Sequence, residues 1–289
     1  MTGGRGRVGL IGGSGLYGLP GLASTSEVRL ETPFGPPSDA YLVGELSGVP
    51  VAFLARHGRQ HRILPSEINF RANVWGFKQL GCDALISASA CGSMKETYRP
   101  TDLVLPDQFI DRTHRRVATF FGEGCVAHVS LAHPVCPHLL GTLDRTARER
   151  GARVHTGGTY LGMEGPQFST RAESFLYRSW GVDVIGMTNV QEARLCREAE
   201  ICYATMALVT DFDCWHEEEQ AVSVETILEV LRTNAGTANA ILAGAVARID
   251  PRRPCSCREA LRFAVLTRRE DVPEPTQRRL SLLMEKYWR

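Results

Sequence analysis

This 289-residue chain has no apolar run long enough to span a bilayer, and its 33 Lys and Arg against 32 Asp and Glu leave a formal net charge of only +1. The first absence argues against a membrane protein, and the second removes the basic field that nucleic-acid binding needs. Met1 to Arg7 holds glycine and arginine but not the apolar core of a secretory signal. A cytoplasmic enzyme is therefore expected, with neither nucleic acid nor membrane as partner. Without a secretory signal, the nine cysteines read as mostly reduced thiols rather than a disulfide framework. Cys255-Ser256-Cys257 is the one close pair that stands out. A zinc site needs about four ligands at suitable spacing, and no His or Cys cluster near the pair supplies the rest, so no metal is expected. A redox-labile pair is one reading; two inert thiols near a helix start is the favoured one.

What is present points to an enzyme of ordinary composition. With 43% hydrophobic and 22% charged residues, the chain can bury the core of one large α/β domain or two smaller ones. Apolar strand-like runs recur at Val8 to Ile11, Val49 to Ala55, Ala84 to Ala88, Leu103 to Leu105, Val182 to Met187 and Ile201 to Val209. Ser66 is placed to cap a helix reaching about Leu80, with Gly81 as its stop. Pro137 opens another that ends near Gly151, and Thr170-Arg171-Ala172-Glu173 has capping-box spacing before a helix to about Trp180. This alternation predicts one continuous α/β domain over 1–289, a central mixed sheet flanked by helices. In such sheets ligands gather at the carboxyl ends of strands.

Nearly every apolar run is followed at once by glycine or polar residues, so the site is sought at those junctions. Gly12-Gly13-Ser14-Gly15 follows the first run. Gly13, Gly15 and Gly18 match a dinucleotide glycine pattern, but Gly18, Pro20 and Gly21 interrupt the helix that pattern requires. Such a loop can hold a single phosphate, and a plain turn is an equally good reading. Arg56-His57-Gly58 after Val51 to Leu54 concentrates donors suited to an oxyanion. The same three residues raise a rival: histidine phosphatases and mutases carry Arg-His-Gly after their first strand, whereas here it follows a later one and continues with Arg59-Gln60. Ser87 to Ser93 is a run of small residues whose backbone can face a ligand; Cys91 within it reads as a small buried residue rather than a nucleophile. Phe168 and Ser169 precede the capped helix, and Met187-Thr188 ends a buried strand.

The most pointed junction is Thr210-Asp211-Phe212-Asp213-Cys214-Trp215. Two carboxylates at the end of a buried strand need a reason, because burial favours the protonated acid and so equips it to donate. Solvated side chains at a strand end are the alternative.

Taken together, IGGSGL, TPFGPPSD, ARHGRQH, SEINFRANVW, ACGS, DQFIDRT, EGPQFSTRAES and TDFDCW followed by EEEQAVSVETIL resemble the methylthioadenosine phosphorylases of the trimeric purine nucleoside phosphorylase group. The resemblance covers about residues 8 to 245. It implies phosphorolysis of 5′-deoxy-5′-methylthioadenosine to adenine and 5-methylthioribose 1-phosphate, with phosphate as co-substrate and no metal or organic cofactor. Other purine nucleosides (adenosine, methylthioinosine, 5′-halogenated adenosines) are the alternative substrates, and a phosphatase or mutase using His57 is a distant rival. Residue by residue it implies a phosphate site from Ser14, Arg56, His57, Ser89, Ala90 and Thr188. Met187 would lie beneath the ribose, with Phe168 and Ser169 bordering the purine. Asp211 and Asp213 would be catalytic at the adenine edge, and Val224, Ile227 and a neighbouring subunit's His128 would line the 5′ pocket. Val224 and Ile227 also have plain core spacing, and a lone histidine is commonly just exposed. The implied assembly is a homotrimer or a hexamer built as a dimer of trimers. Beyond about Ile249 the resemblance fades. The Cys-x-Cys resembles a feature of archaeal and some bacterial members whose cysteines can form disulfides, and no pairing is carried over for 250–289.

Overall fold

The computed structural model describes residues 6–13, 20–216, 224–250 and 253–288. In chain order the elements are β1 (Arg7–Gly12), β2 (Ala23–Val28), β3 (Tyr41–Leu46), β4 (Val49–Ala55), α1 (Phe70–Gln79), β5 (Cys82–Ser93), β6 (Leu103–Leu105) and β7 (Gln108–Arg112). There follow α2 (Pro137–Glu149), β8 (Val154–Thr156), β9 (Thr159–Met163), α3 (Arg171–Ser179), β10 (Val184–Gly186), α4 (Asn189–Glu198), β11 (Cys202–Asp211), α5 (Val224–Val246) and α6 (Glu274–Met284).

Period-two burial explains the layering. Along β1, β5 and β11, residues Val8, Leu10, Ala84, Ile86, Ala204, Met206 and Leu208 face one apolar cluster, which Leu139 and Leu143 of α2 and Leu231, Ile241 and Leu242 of α5 complete. Ile11, Leu85 and Tyr203 point the other way. They meet Val74, Trp75 and Phe77 of α1, Leu195 and Cys196 of α4, and Leu280 and Leu283 of α6. One mixed sheet thus lies between two helical layers, as the alternation predicted.

The sheet runs β2-β3-β4-β1-β5-β10-β9-β7, with β11 also on β5, β6 on β11 and β8 on β6. Strands β4, β1, β5 and β11 are mutually parallel neighbours, while β10 meets β5 antiparallel. The branch is at Gly92, which pairs with Asp211 of β11 and with Ile185 of β10. A crevice at the point where strands part is the expected ligand site of an open α/β sheet.

Two local expectations change. Ser66 does not cap α1. Its cap is Asn69, whose Oδ1 accepts from the Ala72 N–H at 3.1 Å while its Nδ2 donates to the carbonyls of Phe34 and Pro36. Ser66 lies in a turn where Glu67 accepts from Leu64 N–H. The capping box of α3 forms as expected, with both Thr170 and Glu173 bonds made.

The Cys-x-Cys expectation changes more. Cys136 at the N-cap of α2 and Cys202 at the start of β11 come together with Cys255 and Cys257, all four sulfurs lying within 4.8 Å of one another. The partners missing nearby in sequence are supplied by the fold. All nine cysteines are free thiols.

The end of α4 holds a titratable strut. Glu198 accepts from Thr119 Oγ1–H at 2.8 Å and Phe120 N–H at 2.7 Å. Burial pushes its carboxyl from 4.5 up to about 7, against those two bonds. The native state therefore retains a proton that the unfolded chain releases, so stability falls as pH rises from 4.5 to about 7. Glu198→Gln, which keeps an acceptor and gains a donor for Thr119, is expected to flatten that slope. Urea unfolding at about pH 5 and about pH 8 measures it, with about 2–3 kcal/mol at stake for a shift of this size.

Candidate active site

Arg56 follows β4 and is fully buried. Its backbone N–H continues the sheet by donating to Gly12 O at 2.9 Å. Nε donates to Glu192 Oε1 at 2.5 Å, Nη2 to Glu192 Oε2 at 3.3 Å and to Ser87 Oγ at 2.6 Å, and Nη1 to Ala88 O at 3.1 Å. Of the five guanidinium N–H groups, one on Nη1 is left over. That nitrogen faces the turn after β1, where a Cβ on Gly13 would sit 2.7 Å from it; glycine there is a matter of space. Ser14 lies outside the described residues.

His57 is buried beside it. Burial first, then the Arg56 charge, push its imidazole down to about 3, so the ring is neutral. The Ile63 carbonyl, 2.9 Å from Nδ1, can only accept, which fixes the proton on Nδ1 and leaves a lone pair on Nε2. Such a nitrogen can take a hydrogen bond from a protonated phosphate oxygen.

The other predicted phosphate residues meet at the start of α4. Thr188 is its N-cap. Asn189 is the hub: its Oδ1 accepts from Ser89 Oγ–H at 2.8 Å and Thr188 Oγ1–H at 3.3 Å, and its Nδ2 donates to Ser87 Oγ at 3.0 Å and to Thr205. Ser89, Thr188 and Arg56 are thus tied through Ser87 and Asn189 at a helix N-terminus, whose dipole favours an anion. Ala90, half-buried, follows Ser89 and packs on the α2–α5 core. Asn189 and Glu192 were not picked out from sequence, where they read as ordinary helix polarity.

Asp211 closes β11. Its Oδ2 lies 2.6 Å from Thr210 Oγ1, and its Oδ1 accepts from Asp213 N–H at 2.8 Å. A Cβ on Gly92 would come within 2.9 Å of Oδ1, so the glycine of ACGS leaves room for this carboxylate. Thr210 Oγ1 is also 3.2 Å from Cys91 O. Its single proton can serve either acceptor, which lets Asp211 change protonation without stranding the hydroxyl. Asp213 is buried and holds φ +52°, a left-handed conformation that aspartate tolerates better than most residues. Burial pushes the Cys91 thiol well up, as fits an inert core residue.

The purine-side residues adjoin this pair. Cys214 Sγ–H donates to Ser169 O at 3.3 Å, and Phe168 beside it is 41% exposed, a rim position. Met187 is half-buried at the end of β10. Its carbonyl accepts from Arg116, whose guanidinium also reaches Gln191 Oε1 at 3.1 Å and Glu164 Oε1 at 3.3 Å. Arg116 escaped the sequence reading; it locks the Glu164 loop against the Met187-Thr188 turn.

The 5′-pocket residues are less gathered. Ile227 on α5 is half-buried against the main core cluster, as plain core spacing implied, and the side chain of Val224 lies outside the described residues. His128 is exposed, and its N–H donates to Ala264 O at 2.8 Å on the C-terminal segment. No helix among the described residues is long and apolar enough to cross a membrane.

A family model described as "Phosphorylase superfamily" matches residues 7–247. The chain belongs to that superfamily. The phosphorylase is 56% identical to S-methyl-5′-thioadenosine phosphorylase of Koribacter versatilis (strain Ellin345) over 281 residues, 97% of this chain and 96% of the relative. It is 55% identical to the protein of the same name from Gloeobacter violaceus (strain ATCC 29082 / PCC 7421), over 97% of this chain and 96% of that one. Among solved structures, the phosphorylase superposes with a TM-score of 0.91 on a methylthioadenosine phosphorylase sourced from an antarctic soil metagenomic library. That pair is 49% identical over 96% of this chain and 99% of the other. A mutant adenosine/methylthioadenosine phosphorylase from Schistosoma mansoni, in complex with methylthioadenosine, gives a TM-score of 0.82 at 35% identity, over 97% of this chain and 98% of that one. These relatives place the phosphorylase among the S-methyl-5′-thioadenosine phosphorylases.

Proposed function

We propose that this phosphorylase cleaves 5′-deoxy-5′-methylthioadenosine with inorganic phosphate, releasing adenine and 5-methylthioribose 1-phosphate. The observation that carries the residue assignment is the carboxylate pair Asp211–Asp213 at the sheet branch, where β5 parts from β11 and β10; Thr188 follows β10, and the buried Arg56 is hydrogen-bonded to β5 at Ser87 and Ala88. As the glycosidic bond lengthens, the ribose gains positive character and the purine negative, so the site must stabilise both. Phosphate, held by the spare Nη1–H of Arg56, by His57 Nε2, by Ser89 and Thr188 and by the backbone at Ala90, is nucleophile and counter-charge at once. Ser14 belongs to the same proposal. Met187 supports the ribose, while Phe168 and Ser169 border the base. Asp211 donates to purine N7, and Asp213 accepts from the exocyclic amine.

A carboxyl pair selects a 6-amino purine over a 6-oxo one, because the oxo group would face the acceptor Asp213 while the one proton of Asp211 is directed at N7. Val224, Ile227 and a neighbouring chain's His128 form the 5′ wall, and an apolar wall disfavours a 5′-hydroxyl left without a partner. Phe263, 88% exposed, and Leu266, 66% exposed, lie on the segment that pairs with the backbone around His128. In this reading a homotrimer covers these two exposed apolar side chains, and sedimentation of the intact protein checks it. The reaction is cytoplasmic and recruits no cofactor.

Incubation with methylthioadenosine, with and without phosphate, tests the whole reading. Free adenine is expected only with phosphate, and no phosphohistidine is expected at His57. Adenine release indifferent to phosphate would indicate a hydrolase, and a labelled His57 would revive the phosphatase. Because His57 titrates at about 3, kcat/KM should show no inflection from this ring near neutral pH.

A further inference from the structure

The cluster of Cys136, Cys202, Cys255 and Cys257 stands apart from this chemistry. Cys202 begins β11 and Asp211 ends it, which puts the thiols about 30 Å along the strand from the carboxylates. The four sulfurs lie within 4.8 Å of one another, and Cys136 and Cys255 are 3.8 Å apart. A tetrahedral zinc ion with bonds of about 2.3 Å requires sulfurs about 3.8 Å apart. The set is also too compact to surround a multi-iron cluster, whose ligating sulfurs stand farther from one another. Three of the four side chains are buried and Cys255 is half-buried, so the group is enclosed yet reachable.

The surroundings carry the opposite charge. Cys136, Cys202 and Cys255 line a cavity of about 100 Å³ with Arg248, Arg253 and Arg258. Arg258 Nε is buried without a hydrogen-bond partner, a donor that a thiolate sulfur would satisfy. Cys136 sits at the positive N-terminal end of α2, which favours a thiolate there. Arg248 is already paired with Glu149 Oε2 at 2.5 Å and Asp250 also lines the cavity, so it is the spare Nε–H of Arg258 that a tetrathiolate zinc centre, with a net charge of −2, would satisfy.

We propose that Cys136, Cys202, Cys255 and Cys257 bind one structural Zn²⁺ that fastens the C-terminal segment to the start of α2 and β11. On binding, the four S–H bonds are lost, four Zn–S bonds form and four protons pass to solvent, with no change of oxidation state. Cys255 and Cys257 lie beyond residues 7–247, the reach of the superfamily model, so the clip joins an added segment to the shared sheet. The metal takes no part in phosphorolysis.

Metal analysis of the intact protein purified under reducing conditions is expected to find one zinc per chain. Chelator-stripped protein should take up Co²⁺ with the strong absorption of a tetrahedral tetrathiolate, release protons in proportion, and melt about 5–10 °C below the zinc form. The double variant Cys255→Ser, Cys257→Ser should lose about ten-fold or more of the bound zinc. If that variant fails to fold, the cobalt spectrum of the wild type still decides. Protein free of zinc that gives no thiolate–cobalt absorption overturns the proposal. So does an intact mass that shows these cysteines paired as disulfides, or a brown iron chromophore.

Discussion

Asp211→Asn should lower kcat/KM for methylthioadenosine by about 10²–10⁴-fold, the usual contribution of a general acid, while moving relative preference towards inosine-type substrates. The substitution is nearly isosteric. The amide oxygen can still accept from Asp213 N–H, and the new Nδ2 can donate to Thr210 Oγ1, whose own proton then goes to Cys91 O. The fold is thus expected to survive, and lost rate reports lost proton donation. An amide can offer a hydrogen to a 6-oxo group, whereas the single proton of Asp211 is committed to N7 and the ionised Asp213 has none to give. Initial rates of base release from methylthioadenosine and inosine, for both proteins at saturating phosphate, make the comparison. An unchanged ratio in the variant, or efficient inosine cleavage by the wild type, would remove Asp211 from the N7 position.

The parts of this molecule legible in its sequence are those encoded by neighbours along the chain. Val49–Ala55 and Leu103–Leu105 are observed where apolar runs put them, and the Thr170 capping box needs only four consecutive residues. β2 was unreadable because its Ser-Thr-Ser-Glu stretch forms an exposed edge strand, held by pairing to β3 rather than by burial. The same limit runs through the site. Arg56 was visible as a donor after a strand, but its partner Glu192 sits 136 residues away and looks like any charge on a helix. Asn189, Arg116 and the four-cysteine cluster share that character: each becomes meaningful only when distant segments meet. Ser66 misled for the opposite reason, a good capping residue in a turn three positions too early, with Asn69 better placed by its second set of bonds to the Phe34 loop.

That buried pair supports the other large expectation. Arg56 and Glu192 have side chains 1% exposed, and Tyr203 O–H adds a donor to Glu192 Oε2 at 3.0 Å. Glu192→Gln leaves the shape and removes the charge, stranding a guanidinium that cannot shed its proton inside the core. Breaking one side of such a pair costs about 3–5 kcal/mol, so the variant should melt well below the wild type in phosphate-free buffer. Phosphate changes the comparison. In the wild type the ligand approaches an Arg–Glu pair that is already neutral, but in Glu192→Gln it supplies the missing negative charge beside Arg56. The variant should therefore gain more thermal stability from saturating phosphate than the wild type does, since a ligand stabilises in proportion to its preference for the native state. Melting curves of both proteins over a phosphate series read this directly. Equal gains would mean that the spare Nη1–H of Arg56 does not face the phosphate, and the anion site would have to be rebuilt around His57 and the start of α4 alone.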